Sequence, residues 1–133
     1  MHRSQCLRIH MVTVSFLRFP SENRWYAFTQ MRLAHQWLSS VEGCSFYKLM
    51  GSGGGNGFSI IPDLSTYCLL MQWSDDRYCS DFHDGSQEWI DYRGKAEKYF
   101  TLYLQTTKVI GSWGGVQPFE ISDDPGGRVV VLT

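Results

Sequence analysis

Charge is sparse in this chain and neither sign prevails: twelve Lys and Arg stand against thirteen Asp and Glu, 19% of 133 residues. No dense Lys/Arg run could follow a phosphate backbone, which excludes nucleic acid as a natural partner. Long apolar runs are missing too. No stretch approaches the roughly 18 residues needed to cross a bilayer, and the first ten residues carry two Arg and two His but no apolar signal-peptide core, so the expected compartment is the cytoplasm. Cysteine is scarce and unpatterned. Cys6, Cys44, Cys68 and Cys79 form no C-x-x-C pair and match no His spacing, so neither a zinc site nor a redox motif is suggested, and they read as reduced packing residues. His2, His10, His35 and His83 fall outside any Ser/His/Asp or Cys/His pattern, which disfavours a hydrolase.

What is abundant is apolar and aromatic. The chain is 43% hydrophobic, with five Trp, seven Tyr and eight Phe. A chain of this length makes one domain and buries about two thirds of its unfolded surface. The surplus aromatic volume is expected to line a ligand cavity or an interface.

Alternation marks the strands. Val12 to Phe19 places Val12, Val14 and Phe16 on one face and Thr13, Ser15 and Leu17 on the other. A helix is expected from about Glu22 to Ser40, N-capped by Ser21, with Ala27, Met31, Ala34, Leu38 and Val41 as its buried stripe and Gly43 closing it. Ser45 to Met50 reads as a second strand and Gly51 to Gly57 as a loop. Thr66 to Trp73 reads as a third strand, with Tyr67, Leu69, Met71 and Trp73 on one face. Ser74-Asp75-Asp76 caps a second helix, which Gly85 kinks or breaks in two. Tyr99 to Val109 is a fourth strand. The order βαββαβ implies an α+β fold with a ferredoxin-like antiparallel sheet carrying both helices on one face. The other face, left bare, calls for a second copy in the manner of a dimeric α+β barrel, and Arg128 to Thr133 reads as an extra C-terminal strand. The division expected is an N-terminal extension over 1–11, the ferredoxin-like unit over 12–119, and a linker with the start of a truncated second unit over 120–133.

The glycine-rich loop matches neither a P-loop nor a dinucleotide fingerprint, since Gly57 is followed by Phe58-Ser59. It reads as a hairpin connection or as a loop folding over a bulky apolar ligand that Phe58 would touch. His35 and His83 lie on helices and could bind haem iron or a metal, although the commoner role for each is a surface or core-edge histidine. Lys48 and Arg93 could hold the polar end of a ligand or serve as structural charges. The stripe Tyr78, Phe82, Trp89, Tyr92 reads as core.

Several segments together carry a more specific message. Thr13-Val14-Ser15-Phe16-Leu17-Arg18-Phe19, Trp25-Tyr26-Ala27-Phe28-Thr29-Gln30-Met31 with Leu33-Ala34, and Phe46-Tyr47-Lys48-Leu49-Met50-Gly51-Ser52-Gly53 followed by Gly55, Gly57 and Phe58 occur in that order. Trp73 with Asp75 or Asp76, Tyr92-Arg93-Gly94-Lys95-Ala96-Glu97 and Trp113-Gly114-Gly115-Val116-Gln117-Pro118-Phe119 complete the set. The series resembles the spheroidene monooxygenase family, the acyclic carotenoid 2-ketolases, over about residues 12 to 133, and corresponds to the N-terminal half of its longer chains. Tyr47 where the family has Trp, and Ile60-Ile61-Pro62 where it tends to Thr-Pro, are mild departures.

The resemblance implies an oxidoreductase of carotenoid biosynthesis that introduces oxygen from O2 at C-2 of a carotenoid. It implies haem iron, whose ligand it leaves open between this chain and a missing second unit, and a ferredoxin-type electron donor. Residues expected to meet the long apolar substrate are Trp25, Phe28, Gln30, Lys48, Gly51, Ser52, Gly53, Phe58, Tyr67, Arg93 and Trp113. A homodimer or a second unit would complete the barrel, and peripheral membrane contact would give access to carotenoid. The alternative is a non-catalytic α+β barrel module binding an apolar ligand or partner subunit through its open sheet face. A truncated, inactive remnant is a third reading.

Overall fold

The computed structural model describes residues 10–53, 62–123 and 126–131. The chain runs β1 (Met11–Arg18), a 3-10 turn (Ser21–Asn23), α1 (Arg24–Leu33), α2 (His35–Leu38), β2 (Cys44–Gly53), β3 (Pro62–Trp73), α3 (Asp76–Gly85), α4 (Gln87–Gly94) and β4 (Lys98–Leu104). The four strands form one antiparallel sheet in the order β2-β3-β1-β4. That is the ferredoxin-like arrangement expected from the element order: β1 and β2, joined through helices, are separated by β3 rather than paired.

The alternation places its residues as read. Leu17, Phe19, Tyr67, Leu69, Met71 and Trp73 join Ala27, Ala34, Leu38, Phe82, Trp89 and Tyr92 in the core between sheet and helices. Thr13 and Ser15 point the same way and are fully buried, yet each is satisfied. The Trp73 indole Nε1 donates to Thr13 Oγ1 at 2.9 Å, and the Ser15 and Thr101 hydroxyls lie 2.8 Å apart directly across β1 and β4. Buried hydroxyls without partners would cost about 1–3 kcal/mol each.

The opposite face is not bare. Val12, Val14 and Leu70 are buried there, with Phe16, Phe46, Met50, Leu102 and Phe119 packed around them. The chain beyond β4 supplies part of this cover. Gly114 and Gly115 both take positive φ, 58° and 82°, and turn the backbone so that Trp113 and Val116 bond each other. Trp113 thereby stacks on Phe46 with centroids 5.6 Å apart, and Phe119 meets the same ring edge-on at 6.0 Å. Phe100, stacked on Phe16, stays 57% exposed.

Several boundaries differ from the reading of the sequence. The first helix is preceded by a 3-10 turn, and Ser21 makes no side-chain cap; Asn23, at the start of α1, instead donates through Nδ2 to the carbonyl of Lys95. The helix is interrupted at Ala34, whose backbone keeps helical angles, so the stripe Ala27, Ala34, Leu38 stays buried. Gly51 to Gly53, read as loop, extend the edge strand β2, with a register shift between Gly51 and Ser52 that relieves the pairing. β4 stops at Leu104 rather than Val109 because β1, its one strand neighbour among the described residues, begins at Met11, beside the Val12–Leu104 pair. The terminal strand read over Arg128 to Thr133 is not formed over its described part: residues 128–131 pair with no strand. Gly85 does break the second helical region, but the first ends at Leu38, C-capped by Ser39, and Gly43, with φ +77°, instead forms the turn that leads into β2.

Candidate functional site

Helix α3 starts firmly. Asp75 accepts from the Arg77 backbone N–H at 3.0 Å, and that bond, with those from Asp76 and the Arg77 side chain, holds its carboxyl at about 2. Asp76, sharing a hydrogen bond with Asp75, is raised in turn. Helical spacing from this cap turns Cys79, Phe82 and His83 onto the sheet, where all three are buried.

His83 sits among four rings. Centroid distances are 5.2 Å to Phe82, 5.4 Å to Trp89, 5.9 Å to Tyr103 and 6.3 Å to Trp73. The residue is 6% exposed, and its Nε2 has no hydrogen-bond partner among the described residues. Burial, then the Arg93 charge, lower its pKa from 6.5 to about 4 against a small opposing pull from Asp84, so the ring is neutral at neutral pH. Arg93 Nη1 donates to the His83 carbonyl at 2.8 Å, and its guanidinium carbon lies 5.5 Å over the Tyr99 ring. Trp89 Nε1 and Tyr92 Oη are also buried without partners among the described residues, and burial raises the Tyr92 hydroxyl pKa.

Beside this nest Phe82 stacks on Trp37, with centroids 6.3 Å apart. Those two rings and Val41 wall a cleft of about 260 Å³, to which Ser40, Glu42, Ser86 and Glu88 add polar groups.

The expected site residues do not converge. Trp25 and Phe28 lie together on α1 at 5.7 Å, 72% and 44% exposed, facing away from the core. Gln30 is half-buried on the same helix. Tyr67 belongs to the helix-side core, edge-on to Phe19 at 5.8 Å, opposite Gly51 in the ladder. Lys48 is exposed in β2, paired with Leu70. Arg93 ties α4 to α3, and Trp113 covers Phe46 on the other sheet face. Ser52 and Gly53 close β2, while Phe58 and most of the glycine-rich segment lie outside the described residues. Sequence reasoning took His83 for a surface or core-edge residue; it is buried. The signal was the Cys79-x-x-Phe82-His83 stripe on an otherwise polar helix. Of the stripe Tyr78, Phe82, Trp89, Tyr92, the last three are core as read, and Tyr78 packs against them partly buried.

A haem, which the resemblance implies, needs one donor free of other partners. His35 is exposed, with Nδ1 2.9 Å from the Tyr47 hydroxyl. His83 does not fit a haem: its Nε2 is unengaged among the described residues, but the residue is 6% exposed among four packed side chains, and the cleft of about 260 Å³ nearby is not lined by it. Among the described residues no three His, Cys, Asp or Glu gather into a metal cage, and no helix is long and apolar enough to cross a membrane.

No family model matches the chain. Two curated relatives do. Spheroidene monooxygenase of Rhodobacter capsulatus is 29% identical over 128 residues, covering 92% of this chain and 53% of the relative. That of Cereibacter sphaeroides is 30% identical over 110 residues, covering 82% and 34%. The chain resembles spheroidene monooxygenase. It spans about half the length of one of these relatives and about a third of the other. A solved structure from Nitrosomonas europaea, provisionally named an antibiotic biosynthesis monooxygenase, matches the fold with a TM-score of 0.56 at 11% identity, covering 85% of this chain and 96% of its own.

Proposed function

We propose that this chain is one ferredoxin-like unit of a carotenoid monooxygenase, acting at C-2 of an acyclic carotenoid such as spheroidene with O2, haem iron and electrons from a ferredoxin-type donor. The observation that carries this reading is the similarity to two spheroidene monooxygenases across most of the chain. The fold, shared with a protein named as a monooxygenase, agrees with it. Haem would supply the oxidising iron; the residues of this chain supply aromatic surface and exclusion of water.

A second ferredoxin-like unit, from another copy or from the remainder of a longer chain, pairs with the sheet face that carries Phe16 and Phe100. Trp113, stacked on Phe46, and exposed Lys48 share the sheet face that a polyene can meet, whereas Arg93 lies on the helix side, bonded to the His83 carbonyl. Trp25 and Phe28, with exposed Arg24 and Arg32 on the same outer side of α1, suit a bilayer interface where carotenoid resides. Liposome co-sedimentation that drops on Trp25→Ser and Phe28→Ser supports that contact, and unchanged binding refutes it.

The deciding experiment supplies haem, spheroidene, a ferredoxin reducing system and labelled O2. It is run with the chain alone and with the remaining part of the Rhodobacter enzyme added. A ketone carrying labelled oxygen is the expected product; none under either condition overturns the reading.

A further inference from the structure

We propose that the cleft between the end of the first helical region and the α3–α4 junction binds a primary alkylammonium ion, free or as a lysine side chain. The inference does not depend on the oxygenase reading above. The cleft measures about 260 Å³. That lies just below the roughly 300–1000 Å³ of sites that take larger ligands, and it suits a short chain with one polar head.

One wall is apolar. Trp37 and Phe82 lie ring on ring, with centroids 6.3 Å apart and planes 19° from parallel, and Val41 adjoins them. Stacked in this way, the rings make one continuous surface and not a cage. Such a surface accepts a methylene chain laid along it better than a quaternary ammonium that must be enclosed on several sides.

The other wall is acidic. Glu42 and Glu88 line the cleft, and among the described residues no Lys, Arg or His does. Glu88 accepts from the Ser86 hydroxyl at 3.3 Å, whereas the Glu42 carboxylate has no hydrogen-bond or ion-pair partner among the described residues. Ser86 follows the break at Gly85 and caps α4, accepting from the Trp89 backbone N–H at 3.4 Å. With Glu88 in its first turn, that helix start offers the cleft a carboxylate in place of bare amide groups. The wider surface has the same sign, since residues 75–91 hold six Asp and Glu against one Arg. An ammonium head here meets negative charge that the cleft itself leaves uncompensated. Its three N–H donors match the two carboxylates and the Ser40 hydroxyl.

The test is a titration of the nitrogen-15-labelled full chain with n-butylammonium chloride at pH 7 and low salt, read by amide and indole N–H resonances. Saturable shifts are expected at the Trp37 indole and around residues 40–42 and 86–88, with none from 1-butanol or butyrate at equal concentration. An exposed ion pair is worth about 1.4- to 5-fold in affinity. Glu42→Gln and Glu88→Gln are therefore each expected to weaken binding about two- to fivefold, and the double variant about tenfold. Glu120→Gln, which removes the same charge away from the cleft, should change nothing. Both cleft glutamates are exposed, so the variants keep the fold, which unshifted resonances elsewhere verify.

A blocked lysine, acetylated and amidated, separates the two sources. Tighter binding than butylammonium supports a partner protein's lysine as the occupant, and equal or weaker binding supports a free amine. Absence of saturable shifts, equal shifts with 1-butanol, tighter binding of tetramethylammonium, or unchanged affinity in the double variant overturns the proposal. None of these outcomes touches the oxygenase reading.

Discussion

Acidification tests the burial of His83 directly. In the folded chain its pKa lies at about 4, against 6.5 ordinarily, because the cation loses solvation among four rings and meets the Arg93 charge. Between those two values the unfolded chain takes up a proton that the native state refuses, so stability is full above pH 6.5 and falls as pH drops toward 4. At 1.36 kcal/mol for each pH unit of displacement, the loss across the window is about 3 kcal/mol. That is a large fraction of the roughly 5–15 kcal/mol typical of a domain. Urea unfolding at pH 7.0, 6.0, 5.0 and 4.5, read by circular dichroism on wild type and His83→Gln, isolates the effect. Acidic groups contribute equally to both proteins, and Asp75, held at about 2, titrates below this window. The difference in stability between the two proteins should shift by about 2 kcal/mol between pH 7.0 and 4.5, in favour of the variant at low pH. Parallel profiles would refute the claim that His83 is buried and neutral.

Three other perturbations probe the frame around the site. Trp73→Phe removes the donor to the fully buried Thr13 hydroxyl and should cost about 1–3 kcal/mol in denaturant unfolding; adding Thr13→Val should recover part of it, since no polar atom is then stranded. Gly43→Ala meets both a left-handed backbone at φ +77° and the Tyr78 ring against its Cβ position, so a loss of about 2–5 kcal/mol is expected. Tyr78→Ala in the same chain should relieve the collision but leave the backbone cost, and full recovery would contradict the strain argument. Phe119→Ala uncovers part of the sheet face around Val12, Val14 and Leu70, and should raise binding of an apolar dye or the concentration dependence of the sedimentation coefficient; no change in either would show that the segment beyond β4 does not shield that face.

The sequence alone determined which residues face which side of each strand, the order of elements, the Asp75 cap, the break at Gly85 and the glycine turn at Gly43. Each follows from chain stereochemistry within a few residues: a side-chain period of two in strands, 3.6 in helices, and the tolerance of glycine for positive φ. It also carried the resemblance to spheroidene monooxygenase, because motif order is a property of the chain itself. Only the tertiary structure decided that the indole of Trp73 finds a hydroxyl sixty residues away, that Nε2 of His83 finds none, and that Trp113 and Phe119 fold back over a sheet face expected to be bare. These outcomes depend on sheet register and on how α3 and α4 lie across it. Local patterning specifies that a side chain points inward; the distant segments packed against it decide whether it meets a partner there.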